Sequence, residues 1–343
     1  MPRPGSRKPQ TTSRTRGSKT RQRHPQEGLG FLRGGARPPT EIVVRFIDTY
    51  RDEFGVEPII RVLATTSAKI ALSTYYAHKS RPPAARSIRD KQLTAEIHRL
   101  YKENNSCYGA RKMWAEINRE GNVGHVARCT VERLMAAEGL KGITRRKKRP
   151  STRSADADEC PTDLVDRDFC VTAPNLLWVA DITYIPTAQG WAYAAFVMDA
   201  YSREIVGWQI TNHLRASLAR DALDMALSAR LRAGEDISGL IHHSDRGVQY
   251  RSVVYGESLA ESKVVASVGS RGDSYDNAMA EALNSLFKAE LIDRRSWPSL
   301  ADVLVESSKW IGWYNNRRLH SSLDYRPPRE VHQEWKILQA QAA

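Results

Sequence analysis

The hydrophobic periodicity of this chain changes once, near Asn175, and that change limits the folds open to it. Before Asn175 apolar residues recur every three or four positions, the spacing of one helix face. "EIVVRFIDTYRDEF", "EPIIRVLA" and "SAKIALSTYYAHK" predict three short helices separated by Gly55 and the Thr65-Thr66-Ser67 cluster. After a break at Pro82 and Pro83, "DKQLTAEIHRLYKENN", "YGARKMWAEINREG" and "ARCTVERLMAAEGL" predict three more. Helix, short turn with Gly, then helix is the arrangement of helix-turn-helix DNA readers, and trihelical bundles that bind nothing share it.

From Asn175 the pattern is that of strands. "LWVADITYIPT" and "WAYAAFVMDAYS" flank a hairpin turn around Gly190, and "EIVGWQIT" makes a third strand. A helix ("RASLARDALDMALSARL"), a strand ("GLIHHSD"), a short helix ("VYGESLAES") and a strand ("KVVASVG") follow, then the helix of "SYDNAMAEALNSLFKAEL". Three antiparallel strands followed by alternating helices and strands predict an α/β fold, a mixed sheet of five strands with helices packed on it. "LADVLVESSKWIGWYNNRRLHSSL" continues as helix towards Pro327 and Pro328.

Charge is distributed as unevenly as periodicity. Residues 1–40 hold ten Lys or Arg against one acid, Glu27, so they carry +9 of the net +13. Rich in Arg, Gly, Pro and Ser, this stretch is expected to be a disordered basic arm that binds polyanions without sequence preference. Arg145, Arg146, Lys147 and Lys148 lie in a second cationic run, between the helical and the strand-forming halves. It is either a solvated linker or a phosphate contact. There is no run of 18 apolar residues and no apolar stretch after the basic N-terminus, so neither a membrane span nor a secretory signal is expected. Cys107, Cys129, Cys160 and Cys170 lack CxxC spacing and are read as free thiols of a reducing cytoplasm.

Three acids stand out by position. Asp181 lies mid-strand in "WVADITYI" among apolar neighbours, where an unpaired carboxylate is costly to bury. Asp245 ends the fourth strand in "HHSDRGVQY", and sites gather at strand C-terminal ends in α/β sheets. Glu281 follows Asp245 with 35 residues between them, in a helix where Asn277, Glu281, Asn284 and Lys288 fall within a stripe of roughly 60° at about 100° per residue. Ser274 or Asp276 is the expected cap of that helix. Each acid has a bland reading as a solvated residue or turn former. Together they suit hard divalent cations, Mg²⁺ or Mn²⁺. Two such ions roughly 3.5–4 Å apart would serve in-line phosphoryl transfer. His242 and His243 are expected to pack or pair beside their strand rather than ligate metal, and Trp178 and Trp191 to be core. Arg317, Arg318 and His320 either contact DNA or cap the last helix.

These acids, with Lys288 seven residues after Glu281, resemble the DDE pattern of the retroviral-integrase superfamily. More closely, the chain is similar to the OrfB transposases of the IS-three family of bacterial insertion sequences. The strings that carry the likeness are "YGARKMW", "CTVERLMAAEGLKG", "PNLLWVADITYI", "VMDAYSREIVGW", "HHSDRGVQY", "GSRGDSYDNAMAEALNSLFKAELI" and "WYNNRRLHSSLDYRPP". The resemblance implies an RNase H-like five-stranded integrase core with flanking helices, preceded by all-α helix-turn-helix segments. It divides the chain into a basic arm (1–40), a helix-turn-helix-like segment (41–80), a helix-turn-helix-like DNA-binding domain (88–142), a basic linker (143–170), the catalytic core (171–293) and a helical extension (294–343).

The activity it implies is cleavage of element ends and transfer of the freed 3′-OH groups into target DNA. Asp181 and Asp245 would bridge two Mg²⁺ (or Mn²⁺) ions, Glu281 would hold the second, and Lys288 would face the DNA. Asn277 and Asn284 would support the cleft and touch DNA, and Arg145, Arg146, Lys147 and Lys148 would contact it as well. The implied partners are the terminal inverted repeats, the target DNA, further copies of the chain in a synaptic complex, and an OrfA product or fusion. The implied location is cytoplasmic, at the nucleoid. A nuclease without strand transfer and a DNA-binding relic remain the competing readings, and the intact acids weigh against the relic.

Overall fold

The structure is a computed structural model that describes residues 37–144 and 171–342, except 246, 248, 251 and 269–276. The basic arm up to residue 36, the linker cations Arg145, Arg146, Lys147 and Lys148, and the expected caps Ser274 and Asp276 lie outside the described residues. The chain forms two compact units, divided after Ala85.

The first unit contains α1 (Thr40–Phe54), α2 (Val56–Leu63) and α3 (Leu72–Ser80). Gly55 turns the chain between α1 and α2 with φ +76°, a conformation that costs glycine little. Val44, Ile47, Ile59, Leu63 and Tyr75 form its core. The third helix begins at Leu72, later than the sequence pattern predicts. The hydroxyls of Thr65 and Thr66 donate back to the carbonyls of Val62 and Leu63, and Thr66 Oγ1 accepts from the Ala68 amide. Such local side-chain bonds compete with the helical ladder.

The second unit opens with α4 (Ala85–Glu103), α5 (Ala110–Glu120) and α6 (Arg128–Ala137). Gly121, left-handed at φ +71°, ends α5. The turn into α6 is pinned where Trp114 Nε1 and Asn118 Nδ2 both donate to the Val126 carbonyl. A mixed sheet follows: β1 (Leu177–Thr187), β2 (Gly190–Asp199), β3 (Ile205–Thr211), β4 (Ile241–Ser244) and β5 (Val265–Val268), in the order β3-β2-β1-β4-β5. β1, β2 and β3 are antiparallel, while β4 runs parallel to β1 and β5 parallel to β4. This is the expected RNase H-like arrangement.

Alternation along the strands builds two cores. Trp178, Ala180, Ala195 and Val197 pack under α7 (Ala216–Arg232) and α8 (Val253–Glu261). Val179 and Phe196 share the opposite core with α9 (Ala278–Glu290) and α10 (Leu300–Asn316), and Phe196 meets Phe287 edge-on at 5.0 Å. That core also takes in Leu100, Tyr108, Met113 and Leu134 of the α4–α6 region, so the segments expected at 88–142, 171–293 and 294–343 share one interior. Trp313 Nε1 donates to Asn104 Oδ1 and the Leu319 amide to Tyr108 Oη across that seam. The last helix, α11 (Pro328–Ala342), follows Pro327.

Trp178 is core, but Trp191 is 57% exposed, contrary to expectation. It stands at the tip of the β1–β2 hairpin, next to the turn and opposite Pro186, and touches Tyr184 edge-on, beyond the reach of either helical layer. Arg317 is the C-cap residue of α10, with its backbone amide on the Trp313 carbonyl. Arg317 pairs with Glu103, and Arg318 is buried in a two-pronged salt bridge with Glu290, at 2.6 and 2.9 Å. His242 and His243 do pair beside the strand: His242 Nε2 lies 3.0 Å from Tyr255 Oη, and His243 Nδ1 lies 2.9 Å from Ser267 Oγ. Burial, with His243 beside it, pushes the pKa of His242 down to about 3. Among the described residues no helix is long and apolar enough to cross a membrane.

Candidate active site

The parallel pairing of β1 and β4 brings the two aspartates together. Their register ends at Ala180 opposite Ser244. Asp181 and Asp245 are each the next residue, so they leave the ends of the shared ladder side by side. β1 continues beyond this point against β2 alone, with Asp181 opposite Phe196. Strand direction points both acids to one end of the sheet, where a parallel α/β arrangement opens its cleft.

The third acid is delivered by α9. Asn277, at the helix start, makes no side-chain cap of its own helix and instead donates Nδ2 to the Ala180 carbonyl at 3.0 Å. Asn284 donates Nδ2 to Asp181 Oδ2 at 2.8 Å. Both amides are buried. Their bonds run inward to β1, so they support the acidic strand. Glu281 lies between them on the same stripe, exposed, with its backbone amide bonded to the Asn277 carbonyl. The four-three spacing that marked this helix is therefore a spacing of anchors around an acid. Lys288 continues the stripe, half-buried in the last turn.

Electrostatics bind the acids into one unit. Burial, then the neighbouring Asp245, pushes the Asp181 carboxyl up to about 7. The Ile182 amide, 2.8 Å from Oδ1, and the Asn284 amide restrain that rise, and Glu281 adds to it. Asp245 is exposed to the cleft, yet the protein around it raises its carboxyl, against the Gly247 amide at 3.0 Å and His243. Glu281 is raised by burial and by Asp245. Asp245 thus raises both other acids, as a neighbouring negative charge does. Among the described residues no three His, Cys, Asp or Glu side chains form a ready-made metal-binding group. The acids are within electrostatic reach of one another without closing into a cluster. Their all-oxygen donor set nevertheless fits a hard divalent cation.

Tyr250 completes the surroundings and was not singled out by sequence reasoning. It is buried, and its hydroxyl has no hydrogen-bond partner among the described residues. Its pKa is raised by burial, then by the charges of Tyr255, Asp181 and Asp245. The signal was its place in "HHSDRGVQY", five residues after Asp245.

Comparison with known proteins identifies the family. Integrase core domain models match residues 171–274 and 262–328, and an HTH-like domain model matches residues 87–148. A putative transposase for insertion sequence element IS986/IS6110 from Mycobacterium tuberculosis (strain ATCC 25618 / H37Rv) is 47% identical over 264 residues, 76% of this chain and 94% of that one. The transposase for insertion sequence element IS629 from Shigella sonnei is 45% identical over 290 residues, 83% of this chain and 94% of its own length. Among solved structures, the HTLV-2 integrase catalytic core domain in complex with magnesium aligns with 47% of this chain and 97% of its own, at 16% identity and a TM-score of 0.35. With near-complete coverage of relatives at this level of identity, the chain belongs to the IS-three family of insertion-sequence transposases.

Proposed function

We propose that this transposase cuts DNA at the ends of its element and joins the freed 3′-OH groups to target DNA. Asp181, Asp245 and Glu281 hold the divalent cations, Mg²⁺ or Mn²⁺, on which the reaction depends. The observation that carries this reading is the β1–β4 register, which leaves Asp181 and Asp245 side by side, with α9 tied to the same strand through Asn277 and Asn284 on either side of Glu281. Carboxylates that repel one another in one cleft gain most from a hard cation between them. Two bound ions would align a nucleophile with the scissile phosphorus and stabilise the leaving oxygen.

The residues of the chain prepare that geometry. The Asn284 amide and the Ile182 N–H fix both oxygens of Asp181. The Gly247 N–H orients Asp245, and the bond from Asn277 to Ala180 sets the position of the helix that carries Glu281. Preorganised carboxylates of this kind place charge where the reacting phosphate must sit. Lys288, farther along the stripe, faces the DNA backbone, and Arg145, Arg146, Lys147 and Lys148 add phosphate contacts. The α4–α6 region reads the terminal inverted repeats in the manner of helix-turn-helix proteins. Several copies of the chain assemble on paired ends, with an OrfA product or fusion as a further partner.

The test is strand transfer on a labelled duplex carrying the flanking element's end, with Mg²⁺ or with EDTA. Metal-dependent joined products are expected. Asp181→Asn, Asp245→Asn and Glu281→Gln should each abolish cleavage and leave DNA affinity largely intact. Near-wild-type cleavage by any of the three would falsify the assignment.

A further inference from the structure

The hairpin of β1 and β2 carries an aromatic cluster that the two cores leave largely outside. Tyr184 and Tyr193 stand directly opposite each other across the strand pair, and Trp191 lies diagonally beside them. Their rings meet edge-on, Tyr184 with Tyr193 at 5.2 Å and Tyr184 with Trp191 at 6.3 Å. Tyr184 is 49% exposed and Trp191 57%. A lone exposed aromatic residue needs no explanation, but adjoining ones form a patch. We propose that this patch stacks an unpaired base of the DNA strand beside the scissile phosphodiester.

The place of the patch follows from strand geometry. Trp178 and Ala180 face the core under α7, so by alternation Tyr184 lies on that same sheet face. At about 3.3 Å per residue, Tyr184 stands roughly 10 Å along β1 from Asp181. That is about three base steps at roughly 3.4 Å each. The other aspartate is connected to the patch as well. Tyr193 and Leu214 both pack against the core under α7, and Gln249, four residues after Asp245, donates Nε2 to the Leu214 carbonyl at 3.3 Å. The loop that leaves the acidic site is thereby continuous with the aromatic face.

The chemistry of this face suits a nucleobase. No charged side chain occurs from Ile182 to Met198. Between Ile205 and Ala219 the one charge, His213 apart, is Arg215. It follows Thr211, the β3 partner of Tyr193, by four residues and is exposed at the N-cap position of α7, without an ion pair among the described residues. A free cation beside open aromatic rings is the combination that holds single-stranded nucleic acid, with phosphate on the cation and bases on the rings. Strand pairing fixes the rings before DNA arrives, so stacking costs little side-chain entropy. Bases of an intact duplex already stack on each other, so the one that reaches the patch has left its pair. Arg215 and the continuity with the acidic site favour DNA over a second protein chain.

This inference rests on the proposed site of cleavage, and it is tested where cleavage cannot occur. Affinity is measured in EDTA by fluorescence anisotropy with two labelled duplexes of the element end. One is fully paired, and the other is mismatched over about three base steps beside the cleavage site. Stacking of one base on an aromatic ring is worth roughly 5- to 150-fold in affinity. Wild type should prefer the mismatched duplex, and Tyr184→Ala with Trp191→Ala should cut that preference by at least about fivefold. Tyr184→Phe with Trp191→Phe keeps the rings and should retain most of it. Trp191→Ala alone, at the exposed hairpin tip, gives the same reading should the alanine pair misfold.

Equal affinity of wild type for the two duplexes overturns the proposal. So does a preference that the alanine pair keeps, in a chain that circular dichroism shows to be folded. Equal loss in the phenylalanine pair also overturns it, since stacking would survive that change. Sedimentation of wild type and the alanine pair tests the other occupant. Loss of self-association with the DNA preference unmoved would give the patch to a second copy of the chain. Near-wild-type cleavage by Asp181→Asn counts against the catalytic reading alone, because the preference is read without metal.

Discussion

Asn284 donates its side-chain amide to Asp181 Oδ2 at 2.8 Å and thereby ties the face of α9 to the middle of β1. The bond joins residues 103 positions apart and fixes a carboxylate that would otherwise choose its rotamer alone. Asn284→Ala removes the donor without adding charge. Supports of this kind are worth about 10–100-fold in metal affinity or activity when deleted. Cleavage by Asn284→Ala should fall within that range and need more Mg²⁺ for half-maximal rate. An Mg²⁺ dependence identical to wild type would show that the bond does not orient Asp181.

Asp181 also makes the metal-free protein sensitive to pH. Its carboxyl titrates at about 7 in the folded chain, against an ordinary value of 3.8. The folded state therefore holds a proton here that the unfolded chain has already lost. The stability this contributes is fully present below about pH 4 and is lost as pH rises through about 7. In EDTA, wild type should lose stability relative to Asp181→Asn across that window, by a few kcal/mol at most. Thermal melts of the two proteins at stepped pH values measure it. A gap between the melts that stays constant with pH would mean that burial does not raise this carboxyl.

The sheet was legible in the sequence because its strands alternate and its turns carry their own residues. The acids were legible because each broke a local rule: Asp181 interrupts an apolar strand, and Glu281 shares a stripe with two amides. What the amides do was not legible. A polar stripe looks the same whether it faces water or a neighbouring strand, and only the pairing of α9 with β1 shows that Asn277 and Asn284 turn inward. Trp191 was misread for a related reason. Large aromatic residues usually mark cores, but a hairpin tip can extend past the helices that would cover it. Nor did the sequence show that Arg318 would find Glu290, since 28 positions separate them.

That Arg318–Glu290 pair lies at the end of α9, with both side chains less than a tenth exposed. Breaking a buried pair on one side leaves an uncompensated charge, at a cost of about 3–5 kcal/mol. Arg318→Met should destabilise the chain by that order. Adding Glu290→Met should recover much of the loss, because the second change removes the stranded carboxylate. Urea denaturation of the two single variants and the double variant gives the coupling. Strict additivity would show that the pair contributes no interaction of its own.

Two glycines should respond to alanine in opposite directions. Gly207 in β3 lies where α7 crosses the sheet, and a Cβ there would fall 2.1 Å from the Ala222 carbonyl oxygen and 2.8 Å from Ala226 Cβ. Both are fixed parts of a buried helix face, so the strand and helix would have to separate. Gly207→Ala should cost at least about 1–3 kcal/mol, the usual penalty of overpacking. Gly312 is an exposed position inside α10 with nothing within 4 Å of its added Cβ. Gly312→Ala should stabilise the chain by about 0.5–1 kcal/mol through helix propensity alone. Denaturation midpoints of the two variants decide the matter: a tolerated Gly207→Ala would mean that β3 and α7 are not in the close contact on which this side of the sheet is built.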